Sequence, residues 1–174
     1  MELVDLYDKN RIPLNKTKDK YSKFNDGEYM IIVHTCLFNN KGEMLIQQRG
    51  LDKIDFPGKW DISSGGGVMS GETPSCAAER ELFEELGVKV DLSNERVYFT
   101  IHYQKGFDDY YLINYDADIN EFKIPKEELL NIKWASREEI FNMTKNNEFI
   151  EYKKGFIDLL FEMYINRGSY PKRG

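Results

Sequence analysis

The segment that most constrains this chain runs from residue 66 to residue 88, GGVMSGETPSCAAERELFEELGV. It is punctuated as a helix. Thr73 suits the N-cap, Pro74 the first helical position and Gly87 the residue just past the end. The spacing predicts a helix over 74–86. At about 100° per residue, with Ala77 at zero, Glu84, Glu81 and Glu85 fall at about −20°, 40° and 80°. Ala78, Leu82 and Leu86 follow at about 100°, 140° and 180°. One side of such a helix can pack on a sheet while the acidic side looks outward.

Three like charges at i, i+3 and i+4 repel one another. A helix built only for stability would interleave lysines. Carboxylate oxygens clustered this way suit hard cations such as Mg²⁺ or Mn²⁺. The preceding glycines let the backbone approach closely, so a glycine carbonyl could complete such a site. A solvated acidic helix face is the other reading, and the three glutamates alone do not choose between them.

The charge map adds weight to this segment. The 174-residue chain carries 24 basic and 30 acidic side chains, a net charge of −6. Glu72, Glu79, Glu81, Glu84 and Glu85 against Arg80 place most of that excess between residues 66 and 88. An acidic balance argues against gripping a nucleic-acid backbone by charge, so no such polymer is expected as a partner.

The length fits one domain. An apolar content of 41% is enough for a core and excludes disorder. Two cysteines, Cys36 and Cys76, exclude a disulfide-stapled scaffold or a four-cysteine zinc site. Two histidines, His34 and His102, leave little material for a poly-histidine metal site or a Ser-His-Asp system. The start, MELVDLYDKNR, has no signal-peptide pattern. The longest apolar stretches, such as MIIV at 30–33, fall far short of the ~20 residues of a membrane span. A soluble, cytoplasmic protein with no membrane partner is expected.

Along the chain, residues 1–29 read as a small N-terminal arm or hairpin packed on a domain of residues 30–174. The arm could support a homodimer. Strands are expected at 30–38, 43–49, from Trp60 to Ser63, at 96–103, 109–118 and 131–135. Ser136 caps a short helix through about residue 143, and apolar spacing from about 147 to 166 predicts a C-terminal packing helix.

Taken whole, residues 66–88 resemble the Nudix box of the Nudix hydrolases. All nine fixed positions match: Gly66, Glu72, Arg80, Glu81, Leu82, Glu84, Glu85, Gly87 and Val88. Weaker likeness extends over roughly 28–143. The resemblance implies an α/β fold, the Nudix fold, with a mixed β-sheet sandwiched between α-helices. It implies a hydrolase that uses a divalent metal, Mg²⁺ or Mn²⁺, to cleave a diphosphate linked to another moiety, often a nucleoside. Its partner is then a small-molecule diphosphate. By position Glu81, Glu84 and Glu85 are the catalytic metal ligands, joined by the carbonyl of Gly65 or Gly66. Glu72 and Arg80 would support the box, and the general base varies across the family.

Two alternatives share the fold. A non-catalytic ligand-sensing module commonly loses box carboxylates, and none is lost here. Isopentenyl diphosphate isomerase carries Cys-Gly-His where this chain has Gly65-Gly66-Gly67, so its thiol and imidazole are missing.

Outside the box, Arg49 is a candidate phosphate ligand, whereas Lys53 and Lys59 read as surface cations. Asp108, Asp109, Glu127 and Glu128 are candidates for a further metal ligand or base. His34 reads as a satisfied buried histidine, Cys76 as a packing residue, and Tyr103, Phe107, Tyr110 and Tyr111 mainly as core.

Overall fold

A computed structural model describes residues 1–125 and 128–170. The chain begins as a hairpin of β1 (Leu3–Tyr7) and β2 (Pro13–Asp19). Asp8 tightens its turn by accepting from the amides of Asn10 and Ile12. Val4 and Leu6 of this hairpin are fully buried.

The β-branched run at 30–38 forms β3 (Met30–Phe38), the spine of a seven-stranded mixed sheet. Residues Asn39–Gly42 turn, and Gly42 takes the left-handed conformation that a side chain would resist (φ 76°). The returning strand is β4 (Met44–Arg49). Then follow β5 (Trp60–Asp61), β6 (Ser64–Gly67), α1 (Pro74–Leu86), β7 (Phe99–Tyr103) and β8 (Gly106–Asn114). A 3₁₀ turn (Ile119–Glu121), β9 (Leu129–Ala135), α2 (Arg137–Lys145) and α3 (Phe156–Ile165) complete the order.

The sheet runs β5-β4-β3-β8-β7, with β9 also on β4 and β6 also on β3. Strands β3 and β8 are parallel, Met30 to Phe38 against Gly106 to Asn114. Strands β3 and β4 pair only at Phe38 and Met44 and then diverge. The freed edge of β3 is taken by β6, Ile32 to Thr35 against Gly67 to Ser64. Ser63 bridges the split: its hydroxyl donates to the Leu45 carbonyl (2.6 Å) and accepts from the Leu37 amide (2.9 Å).

Alternation along β3 feeds two cores. Ile31, Val33 and Leu37 face α1, whose Ala77, Ala78, Leu82 and Leu86 are all fully buried. Cys36 and Phe38 face the opposite layer, where Ile140 and Met143 of α2 meet Leu160 and Phe161 of α3. The sheet is thus sandwiched between helices. Among the described residues, no helix is long and apolar enough to cross a membrane.

The predicted elements are present, but several of their edges move. The helix expected from about 147 to 166 starts only at Phe156. Before it, the Trp60 amide donates to the Glu148 carbonyl and the Ile150 amide to the Trp60 carbonyl, and Asn147 and Gly155 have positive φ, so this stretch is extended against β5. The strand expected at 109–118 begins instead at Gly106, where a side chain would collide with the backbone of Met30. The strand expected from Trp60 to Ser63 is only Trp60–Asp61, and a separate strand, Ser64–Gly67, follows it, because the chain crosses from β4 to β3 at Ser63.

Candidate active site

Helix α1 forms where its caps predict. Thr73 Oγ1 accepts from the Cys76 amide, and Gly87 takes the left-handed conformation (φ 69°) that closes the other end. The loop before it is held by Arg80. Its guanidinium donates to both oxygens of Glu72 (2.8 and 3.0 Å) and to the Gly67 carbonyl (3.0 Å). It also reaches Glu81 (2.6 Å) and Glu84 (3.1 Å). Burial pushes the Glu72 carboxyl up, but Arg80 and the Met69 amide outweigh it and hold it below its ordinary range.

The glutamates do not share one environment. Glu84 is exposed at the rim, and among the described residues its hydrogen-bond partner is Arg80. Glu81 and Glu85 point inward, against the expectation that the acidic face looks outward. At about 40° and 80° they lie between Ala77 and Leu82, which both face the sheet, so the arc between them is turned inward too. Bare glycine backbone makes room: a Cβ on Gly66 would fall inside the Glu81 carboxylate.

Glu85 lies beside Gly65 and Gln47, at 3.4 Å from the Gly65 amide nitrogen and 3.5 Å from Gln47 Nε2. Burial raises the pKa of Glu81, and Glu84 adds repulsion against the pull of Arg80. Burial, with repulsion from Glu81 and Asp61, pushes Glu85 up to about 8. Nearby, Gln47 Oε1 is buried without a hydrogen-bond partner among the described residues, and the Ser64 hydroxyl is close enough to Glu85 to oppose part of that rise.

These groups floor a cavity of about 720 Å³ lined by Gln47, Arg49, Gly65, Gly66, Arg80 and the three glutamates. Arg49 donates to the Asp55 carbonyl (3.0 Å) and lies 3.5 Å from Asp61, so it stands at the wall of the cleft. The same cavity takes Lys20 from the N-terminal hairpin and Lys53, which pairs with Glu128. Glu128 therefore sits at this rim, and Glu127 lies outside the described residues. Lys59 is turned away and holds Asn147.

A second cavity of about 500 Å³ shares Gln47, Arg49, Gly65 and Gly66 with the first and continues toward His34, Tyr103 and Asp108. Strand alternation separates the neighbouring acids. Asp108 faces this cavity, whereas Asp109 is fully buried on the other face, gripped by Arg11 (2.9 and 2.6 Å) and the Thr100 hydroxyl (2.6 Å). Asp109 is thus committed to an ion pair.

His34 is not the satisfied core histidine that the strand pattern predicts. Its ring stacks on Tyr110 at 4.7 Å and its Nε2 lies 3.5 Å from Asp108 Oδ1, partly open to the cavity. His102 is exposed, its ring edge-on to Phe107. Cys76 is exposed rather than packed. Phe107, Tyr110 and Tyr111 are core as expected. Lys20 and Gln47 carried no signal in the sequence, because each reaches the cleft from an element distant in the chain, and Tyr103, read there mainly as core, lines the second cavity instead.

The NUDIX domain family model matches residues 28–158. An uncharacterised Nudix hydrolase of Listeria innocua is 40% identical over 94% of this chain and 95% of its own length. The chain belongs to the Nudix hydrolase family. An isopentenyl-diphosphate Delta-isomerase of Streptomyces coelicolor is 36% identical over 53% of this Nudix hydrolase and 47% of its own length. A crystal structure from Deinococcus radiodurans superposes with a TM-score of 0.73 at 22% identity, over 94% of this chain and 99% of that one. The fold is the Nudix fold, and the protein is a Nudix pyrophosphohydrolase acting on a small molecule. Nudix hydrolases generally use divalent cations.

Proposed function

We propose that this Nudix hydrolase uses Mg²⁺ or Mn²⁺ to cleave the diphosphate linkage of a nucleoside diphosphate joined to another moiety. One observation carries the reading: Glu81 and Glu85 are drawn out of water against bare Gly65-Gly66 backbone at the floor of a cavity. Desolvated carboxylates with an orphaned Gln47 oxygen and the Ser64 hydroxyl beside them form a hard-oxygen donor set short of positive charge. That donor set fits Mg²⁺ or Mn²⁺. Among the described residues, no three His, Cys, Asp or Glu side chains are placed together to hold a metal ion by themselves.

Glu81, Glu84 and Glu85 would hold the cation, with the carbonyl of Gly65 or Gly66 as a backbone donor. When bound, it neutralises phosphate charge and lowers the pKa of a water molecule. Arg80, braced by Glu72, fixes the loop that carries these carbonyls to the helix that carries the glutamates. Arg49 stands where it can donate to a phosphate oxygen. Diphosphate hydrolysis asks little covalent chemistry of the protein, so positioning and charge suffice.

Phosphate or pyrophosphate release from a panel of diphosphate compounds, with Mg²⁺ and with EDTA, tests the reading. Activity is expected to depend on the cation. Glu85→Gln should keep its circular dichroism spectrum and lose turnover by orders of magnitude. Wild-type-like turnover in that variant, or in EDTA, overturns the assignment.

A further inference from the structure

The second cavity contains polar groups that the fold leaves unpaired. Asp61, on its wall, is satisfied: it accepts from the Ile62 amide (2.8 Å) and from the Tyr152 hydroxyl, and lies near Arg49. Asp108 is not. Among the described residues its carboxylate makes no hydrogen bond, and His34 Nε2 lies 3.5 Å away, too long for a well-formed one. Tyr103 Oη is shielded from solvent and, among the described residues, has no partner.

Backbone register brings these three side chains to one place. Asp108 lies opposite Ile101 on β7 and Ile32 on β3. Tyr103 and His34, each two residues from one of these, therefore share its face of the sheet. Burial, and then the charge of Asp108, raise the Tyr103 phenol well above its ordinary range, so it remains a donor. A carboxylate that can accept twice, next to a phenol that can donate or accept, matches a pair of adjacent hydroxyls. A hydrocarbon chain would leave all three groups unsatisfied.

The geometry points to Asp108, Tyr103 and His34 as the residues that select the substrate, by binding the vicinal hydroxyls of a sugar at the end of the cleft away from the glutamates. The inference rests on the pyrophosphohydrolase reading above. Although Met30, Ile32, Phe56 and Ile62 also line the cavity, it ranks a sugar-bearing diphosphate above an isoprenoid one. The shared chemistry is a diol, which either the ribose of a nucleoside or the hexose of a sugar nucleotide presents.

Three compounds separate these sources: uridine diphosphate glucose, its 2′,3′-dideoxyuridine counterpart, and the methyl ester of uridine diphosphate. Wild-type enzyme should lose about tenfold or more in kcat/KM when the hydroxyls that occupy the cavity are removed. Which omission is costly identifies the sugar. Asp108→Asn and Tyr103→Phe should erase most of that preference, mainly through KM. Tyr103→Phe removes one oxygen, so it guards against misreading a folding defect.

A preference retained in both variants, no preference in wild type, or faster turnover of isopentenyl diphosphate overturns the inference. If wild type hydrolyses none of these compounds, the pyrophosphohydrolase reading itself falls. The cavity is then judged by saturation-transfer NMR with uridine and with glucose, which carry no phosphate. Binding that Asp108→Asn abolishes supports the diol site, and no binding overturns it.

Discussion

Gly66 leaves space that Glu81 occupies, so one methyl group tests the floor of the site. In Gly66→Ala the new Cβ would meet the Glu81 carboxylate, which must swing away. Turnover should fall at least about tenfold, since small misplacements of acting groups are costly. The backbone at Gly66 has no positive φ, so the melting temperature should change little. Activity measured beside a thermal melt checks both. Glu85 gives a second prediction at this scale. Its carboxyl is pushed from an ordinary 4.5 to about 8. Between those values the folded metal-free protein keeps a proton that the unfolded chain has released. The contribution of Glu85 to stability therefore falls as pH rises through that window. In EDTA, the melting temperature should drop more between about pH 5 and pH 8 for wild type than for Glu85→Gln. Magnesium binding near pH 7 should release a proton, seen by calorimetry as a heat that varies with the buffer's ionisation enthalpy.

Helix α1 was legible to the residue because its signals are local. Thr73, Pro74 and Gly87 act on their own backbone neighbours. Thr73→Ala should cost about 1 kcal/mol by freeing the Cys76 amide, measured by urea denaturation. The C-terminal segment was read less well. Phe149 and Ile150 are buried as their spacing suggested, but a strand edge at Trp60 offered their backbone better partners than a helix would. Periodicity reports burial, and here burial came without the helix. The inward turn of Glu81 and Glu85 was missed for a related reason. A helical wheel ranks angles, but it does not know that the facing strand is bare glycine.

Across the whole molecule, Arg11 and Asp109 tie the N-terminal hairpin to the sheet over 98 residues of sequence. Asp109 is fully buried and Arg11 one-third exposed. Removing the arginine leaves a buried carboxylate short of its cation. Arg11→Ala should therefore cost about 2 kcal/mol, less than a fully buried pair because solvent screens part of the attraction. Urea denaturation checks this, and a loss below about 0.5 kcal/mol would show that apolar contacts such as Val4 and Leu6 anchor the hairpin instead. The same hairpin brings Lys20 to the cleft, so its attachment bears on the site as well as on stability.

The loop–helix that carries the glutamates was written in residues 66–88, because caps, glycines and charges there act within a turn or two of one another, whereas the family and the layered fold followed from the resemblance of that segment to the Nudix box. What the chain order could not express was which distant side chains meet. The divergence of β3 from β4 opened the cleft, strand alternation sent Asp108 into it and Asp109 away from it, and parallel register set His34 beside Asp108. These are consequences of how strands pair in space, and no short stretch of sequence contains them.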